Sequence, residues 1–205
     1  MLHTSLTESL WLGSLVWACL YISDYCLTIA GARLYQAQET IVFQGSYEIT
    51  PIFQADVNAL RRISPRFLTI LFASTLYLYG LSYVSAMWEM REAYTTALGA
   101  LVLLELTVHM RHLRNRYLFR HASGPDGIRG RVEYPRGLIL RGSALEVLLF
   151  SALYAFLFVE TGDLFVLGGA LGCVVLAVNH YVLARRFERR RSSTPRPEVQ
   201  IEPPQ

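Results

Sequence analysis

Lysine is missing from this 205-residue chain, and all 19 of its basic side chains are arginine. The codon bias of a GC-rich genome accounts for that, so no mechanism follows from it. Charge of either sign is scarce, at 17% of residues against about a quarter in soluble domains. The three cysteines, Cys19, Cys26 and Cys173, are odd in number and form no Cys-x2-Cys pair. That excludes a disulfide framework and a cysteine-based zinc or redox motif. Ser74, Ser82, Ser85, Ser143 and Ser151 are present, but none lies in a Gly-x-Ser-x-Gly turn. Walker and dinucleotide glycine motifs are absent, as are internal repeats.

Apolar residues, by contrast, make up 53% of the chain. Their long runs predict an all-α integral membrane bundle of five helices, near residues 9–32, 66–88, 93–113, 143–160 and 163–184. The first run lacks a basic n-region, carries Asp24 and has no Ala-x-Ala cleavage site, so it is expected to be a retained helix and not a secretory signal. Residues 1–191 are expected to form one transmembrane domain. The proline-rich, polar stretch 192–205 is expected to be a disordered cytoplasmic tail.

Arginine sets the expected orientation. Segments 33–66, 111–141 and the stretch after 184 hold eighteen arginines, and the opposite side holds only Arg91. The positive-inside rule then places the N-terminus outside and the C-terminus in the cytoplasm. The expected location is the inner (plasma) membrane, multi-pass, with Trp88, Tyr83 and Tyr94 in an outer aromatic belt. The lipid bilayer is the expected partner, with anionic lipid headgroups meeting the arginine-rich cytoplasmic loops. Nucleic acid is not expected to bind, because topology accounts for the arginines. The stretch around residues 123–137 is rich in glycine and proline and reads as a turn-rich loop with room for a short hairpin.

Charge inside a span costs about 2.5–3.5 kcal/mol near a helix centre, so each polar residue there needs a reason. Glu105, His109, His112 and Arg116 are spaced by four, three and four, which puts them on one stripe of the third helix. Asp24, Thr28, Gly31 and Tyr35 repeat that spacing on the first, where Gly31 would admit another backbone. Glu146 is expected in the first turn of the fourth helix. Asn179 falls on the Gly168 and Gly172 stripe of the fifth, with His180 beside it. With the helices threaded as above, these groups share one depth in the cytoplasmic half, predicting a common polar site.

The first cytoplasmic loop contains "TPIFQADVNALRRIS". It predicts a short interfacial amphipathic helix with Thr50 as N-cap, Pro51 at the first helical position, and Ile52, Phe53, Val57, Leu60 and Ile63 as its apolar face. Asp56 interrupts that face and needs a partner, such as Arg33 or the histidines of the third span. Glu48 precedes it.

Three functions suit this constellation. In the first, a structural or ligand-binding component, the acids pair with arginines and histidines, or Asp24, Thr28, Glu48, Asp56 and Asn179 hold a ligand or proton. In the second, a metal-dependent or acid/base enzyme acts on a lipid or membrane substrate. There, Asp24, Glu105, Asp56 and Glu146 are the catalytic candidates, and His109, His112 and Glu105 are the ligands of a divalent metal. Glu-x3-His-x2-His is not the His-Glu-x2-His zinc pattern, and no second Glu-x2-His helix exists for a di-iron bundle. The third is a proton-coupled small-molecule transporter, which five spans without repeats favour less.

"DYCLTIAGARLY" followed by "GSYEITPIFQADV" resembles a pattern of bacterial polytopic membrane proteins without an assigned activity. The shared elements are an Asp-x3-Thr in the first helix and a Glu-x2-Pro or Asn-Pro element after it. Here they fall on Asp24, Thr28, Glu48 and Pro51, with Thr50 where asparagine is usual. The resemblance implies a bacterial inner-membrane protein and no particular reaction.

Overall fold

The computed structural model describes residues 2–122 and 124–192; the expected tail from 193 onward lies outside the described residues. The order is α1 (Leu2–Glu8), α2 (Leu12–Gln36), β1 (Ile41–Phe43), α3 (Gln54–Asn58), α4 (Pro65–Met87), α5 (Arg91–Ala122), β2 (Val132–Tyr134), α6 (Arg136–Thr161) and α7 (Leu164–Ser192). Five of these helices, α2, α4, α5, α6 and α7, are long and apolar enough to cross a membrane. Their outer faces carry Phe72, Val159 and Val175, each at least 70% exposed. So much uncovered apolar surface suits lipid and not water.

The long helices outrun the apolar windows that predict them. Hydropathy marks only the lipid-crossing part of a helix, while arginine is itself a good helix former. Thus α5 continues through Arg111, Arg114, Arg116 and Arg120, and α6 already begins at Arg136. Only Arg129 and Arg131 of that arginine-rich segment lie in a true loop. Asp24 accordingly sits at the middle of α2, not late in it. Glu146 lies well inside α6, not in its first turn.

Helix ends follow local chemistry. Ser64 caps α4 by accepting from the Phe67 amide, with Pro65 at the first helical position. Gly162, at φ 65°, closes α6 in the left-handed conformation that glycine tolerates. Asp163 then accepts from the Phe165 amide at 2.9 Å at the start of α7.

Among the described residues, no local hairpin forms in the 124–135 loop. Instead β2 pairs in parallel with β1 from the distant 37–64 loop, Ile41 opposite Val132 and Phe43 opposite Tyr134. A parallel pair needs a long crossover, and α4 and α5 supply it by running out and back. Both loops therefore sit at the same end of the bundle. An aromatic cluster of Tyr35, Phe43, Tyr47, Phe119 and Tyr134 fastens them to α2 and α5.

The amphipathic helix is much shorter than expected. A turn spans Thr50 to Phe53, helix α3 covers only five residues, and Leu60 takes a left-handed φ of 49°. Thr50 is not its cap. Of the predicted apolar face only Val57 is fully buried, whereas Ile52 and Ile63 are exposed. The tie that folds this segment back is Asp56. It accepts from Ser64 Oγ at 2.6 Å and pairs with Arg61 at 3.1 Å and Arg66 at 3.7 Å. Arg33 and the histidines of α5 are not its partners. Tyr94 also departs from expectation, lying buried in the core while Trp88 and Tyr83 stay exposed.

Helix α7 packs on α5 through its glycine face. A Cβ at Gly168 would overlap the Thr96 carbonyl, and one at Gly172 would press on the Ala100 carbonyl. Further along, α7 turns its Cys173, Ala177, His180 and Ala184 stripe inward. That rotation exposes Asn179, which the glycine stripe alone had placed inside.

Candidate functional site

A cavity of about 260 Å³ lies between α2, α4, α5 and α7, and Glu48, Thr50, Phe53 and Val57 also line it. Such a volume holds several water molecules. One wall is an aromatic stack: Trp17 on Tyr21, Tyr21 on Phe67 and Phe67 on Tyr25, with centroids 5.2, 5.2 and 4.3 Å apart. From α5 and α7 come Glu105, Arg111, His112 and His180, set among Leu101, Leu104, Val108 and Leu176.

Helical spacing brings the α5 groups to one face, as their four-three periodicity predicts. His112 Nε2 lies 3.2 Å from Thr28 Oγ1 and 3.0 Å from Asp24 Oδ1. The contact with Asp24 lies off the hydrogen-bond direction, so Asp24 Oδ1 is buried without a hydrogen-bond donor. His109 Nδ1 lies 2.7 Å from the Glu105 backbone carbonyl. A carbonyl only accepts, so Nδ1 carries the proton and Nε2 accepts from the Ser23 hydroxyl.

Glu105 differs from every other acid nearby. It is 7% exposed, and among the described residues no hydrogen bond or ion pair within 4 Å reaches its carboxylate, although the charges of Asp24 and Arg111 act on it from farther away. Arg111 donates instead to Ser143 Oγ at 2.5 Å, and Ser143 contacts His180 Nδ1 at 3.1 Å. Since Arg111 can only donate, the Ser143 hydroxyl proton is free to go to His180.

The expected site residues divide into two groups. Asp24, Thr28, Glu48, Glu105 and His112 all line the cavity. Glu48 also accepts from the Thr50 amide at 2.7 Å, and both residues line the cavity. Glu146 does not reach the cavity and pairs with Arg114 at 2.8 Å, so α6 drops out of the shared site. Asp56 lies behind the wall with its own arginines, and Asn179 faces outward. The grouping of potential metal donors also changes. Donor atoms of Asp24, Glu105 and His109 lie within 4.8 Å of one another, with Asp24 in place of the expected His112.

Sequence reading missed Trp17, Tyr21, Ser23 and Arg111. Ser23 is next to Asp24, but adjacency on a helix does not show which neighbour it meets. Arg111 counted only toward topology. Outside the spans, burial pushes the Tyr47 phenol well above its ordinary pKa, with Glu48 adding to the effect. Its hydroxyl occupies the gap left by Gly31, which therefore admits a side chain and not a backbone.

Fold and site together define a multi-pass helical membrane protein with a largely apolar cavity inside the bundle, into which a few polar and ionisable side chains are set. No protein family, no curated protein and no solved structure matches the chain.

Proposed function

We propose that this protein is a ligand-binding component of the inner membrane whose cavity takes a small positively charged ligand from the cytoplasmic side. The observation that carries the reading is Glu105. Pairing with cations as a structural lock accounts for Asp56 and Glu146, which meet Arg61, Arg66 and Arg114. It does not account for a buried carboxylate with no partner. When ionised, an unpaired buried carboxylate costs far more than a paired one, and a cationic ligand supplies the missing pair.

Orientation in this reading follows the arginines. The 48–57 segment that lines the cavity belongs to the same loop as β1, Arg61 and Arg62, and so to the end of the bundle that carries β2, Arg129 and Arg131, which the positive-inside rule assigns to the cytoplasm. Anionic headgroups would meet those arginines at the membrane surface.

Thermal stability of the detergent-purified protein tests the reading, screened against divalent metal ions and against primary and quaternary amines. At least one class should raise the melting temperature of the wild type and leave Glu105→Gln unmoved. If neither class stabilises the wild type, the acids are structural and the reading fails.

A further inference from the structure

We propose that Asp24, Glu105 and His109 bind a first-row divalent metal ion, and that this ion is the positive ligand of the cavity. The inference rests on the cationic-ligand reading above and names its ligand. Three donor atoms from two packed helices already lie within 4.8 Å of one another. Around a bound zinc ion, bonds of about 2.0–2.2 Å bring such donors to roughly 3–3.5 Å apart. Side-chain torsions on α2 and α5 span that difference.

The chemistry of the set agrees. Two carboxylates carry the charge that neutralises a dication. One imidazole with two carboxylates suits zinc, iron or manganese, because imidazole favours the first two and carboxylate the last. The His109 tautomer is already right: Nδ1–H is held by the Glu105 carbonyl, so the Nε2 lone pair faces outward to Ser23. Metal-bound histidines are commonly fixed by a backbone carbonyl on the other ring nitrogen in this way. A small rotation of the Ser23 hydroxyl frees Nε2. His112, 3.0 Å from Asp24 Oδ1 and 3.2 Å from Thr28, orients the aspartate from behind. The unpartnered Glu105 supplies the second carboxylate. Both acids line the cavity, so a fourth coordination position opens toward it, as in sites that exchange a ligand.

The test uses the full-length protein in detergent, stripped with a chelator and titrated with Co²⁺ as the visible probe, then competed with Zn²⁺. Wild type should show ligand-field absorption saturating at one Co²⁺ per chain. Glu105→Gln and His109→Ala should each weaken binding at least about 100-fold, because loss of an orienting partner alone costs 10–100-fold. His112→Ala, which removes such a partner, should weaken it less, and Arg114→Ala should not change it. His109→Cys keeps a donor and should add a thiolate-to-cobalt charge-transfer band, which reads the ligand directly even where His109→Ala does not fold. Undiminished Co²⁺ binding in His109→Ala, or no new band in His109→Cys, overturns the ligand assignment. If amines stabilise the wild type and metals do not, the metal proposal fails while the cationic reading stands. If neither does, both fail.

Discussion

Replacing Glu105 with glutamine should not destabilise the metal-free protein. Glutamine matches glutamate in size and helix propensity, so the change isolates the charge. The carboxylate is 7% exposed and has no partner among the described residues. Leaving a buried polar group unsatisfied costs about 1–3 kcal/mol, and more when it is charged. Water in the 260 Å³ cavity keeps the figure toward that range and away from that for a dry ion. For a chain of this size each kcal/mol moves the melting temperature by about 2–4 °C. Glu105→Gln in chelator should therefore melt unchanged where the acid is already neutral and up to roughly 12 °C higher where it is ionised. Asp56→Asn gives the contrast. Asp56 is 3% exposed and satisfied by Ser64, Arg61 and Arg66, and hydrogen bonds to charged groups contribute about 1.5–3 kcal/mol. Its loss should lower the melting temperature by several degrees. Differential scanning fluorimetry in detergent reads both variants. A fall for Glu105→Gln as large as that for Asp56→Asn would refute the argument, because it would mean that the Glu105 carboxylate holds the bundle together.

Three further outcomes follow from the packing and threading. Gly168→Val should abolish a monodisperse peak in detergent gel filtration, because its Cβ would overlap the Thr96 carbonyl, whereas Gly142→Ala, with open space around it, should elute as wild type. In a cysteine-free background, cysteines at Val42 and Glu133, which face each other across the parallel pair, should crosslink under mild oxidation; failure to crosslink would separate the two loops. Reporter fusions after residue 125 and after residue 192 should both report the cytoplasm, and either one reporting outside would overturn the orientation.

Much of this was legible without coordinates because the governing signals are local. Runs of apolar residues mark spans wherever the solvent is hydrocarbon. The four-three spacing of Glu105, His109 and His112 puts them on one face of any helix, and Asp24 and Thr28 obey the same rule on theirs. What one sequence does not hold is the pairing between segments. The Asp56 case shows this: its arginines lie five and ten residues downstream and reach it only because Leu60 turns the chain left-handed. Asn179 was misplaced because α7 changes neighbours along its length, facing α5 at Gly168 and α6 at His180. A stripe read from spacing assumes one constant partner.

"ELTVHMRH", residues 105–112, shows where that division falls. By itself the sequence determined that a carboxylate and two imidazoles lie on one side of a membrane-crossing helix, because helical geometry depends only on residues three and four apart. Only the tertiary structure decided which residue each group meets. His112 turned to Asp24 and Thr28, His109 to Ser23, and Arg111 to Ser143, which leaves Glu105 lining the cavity with no hydrogen bond or ion pair to its carboxylate among the described residues. Those choices depend on how α2, α6 and α7 rotate against α5, and that rotation is set by side-chain packing across the whole bundle.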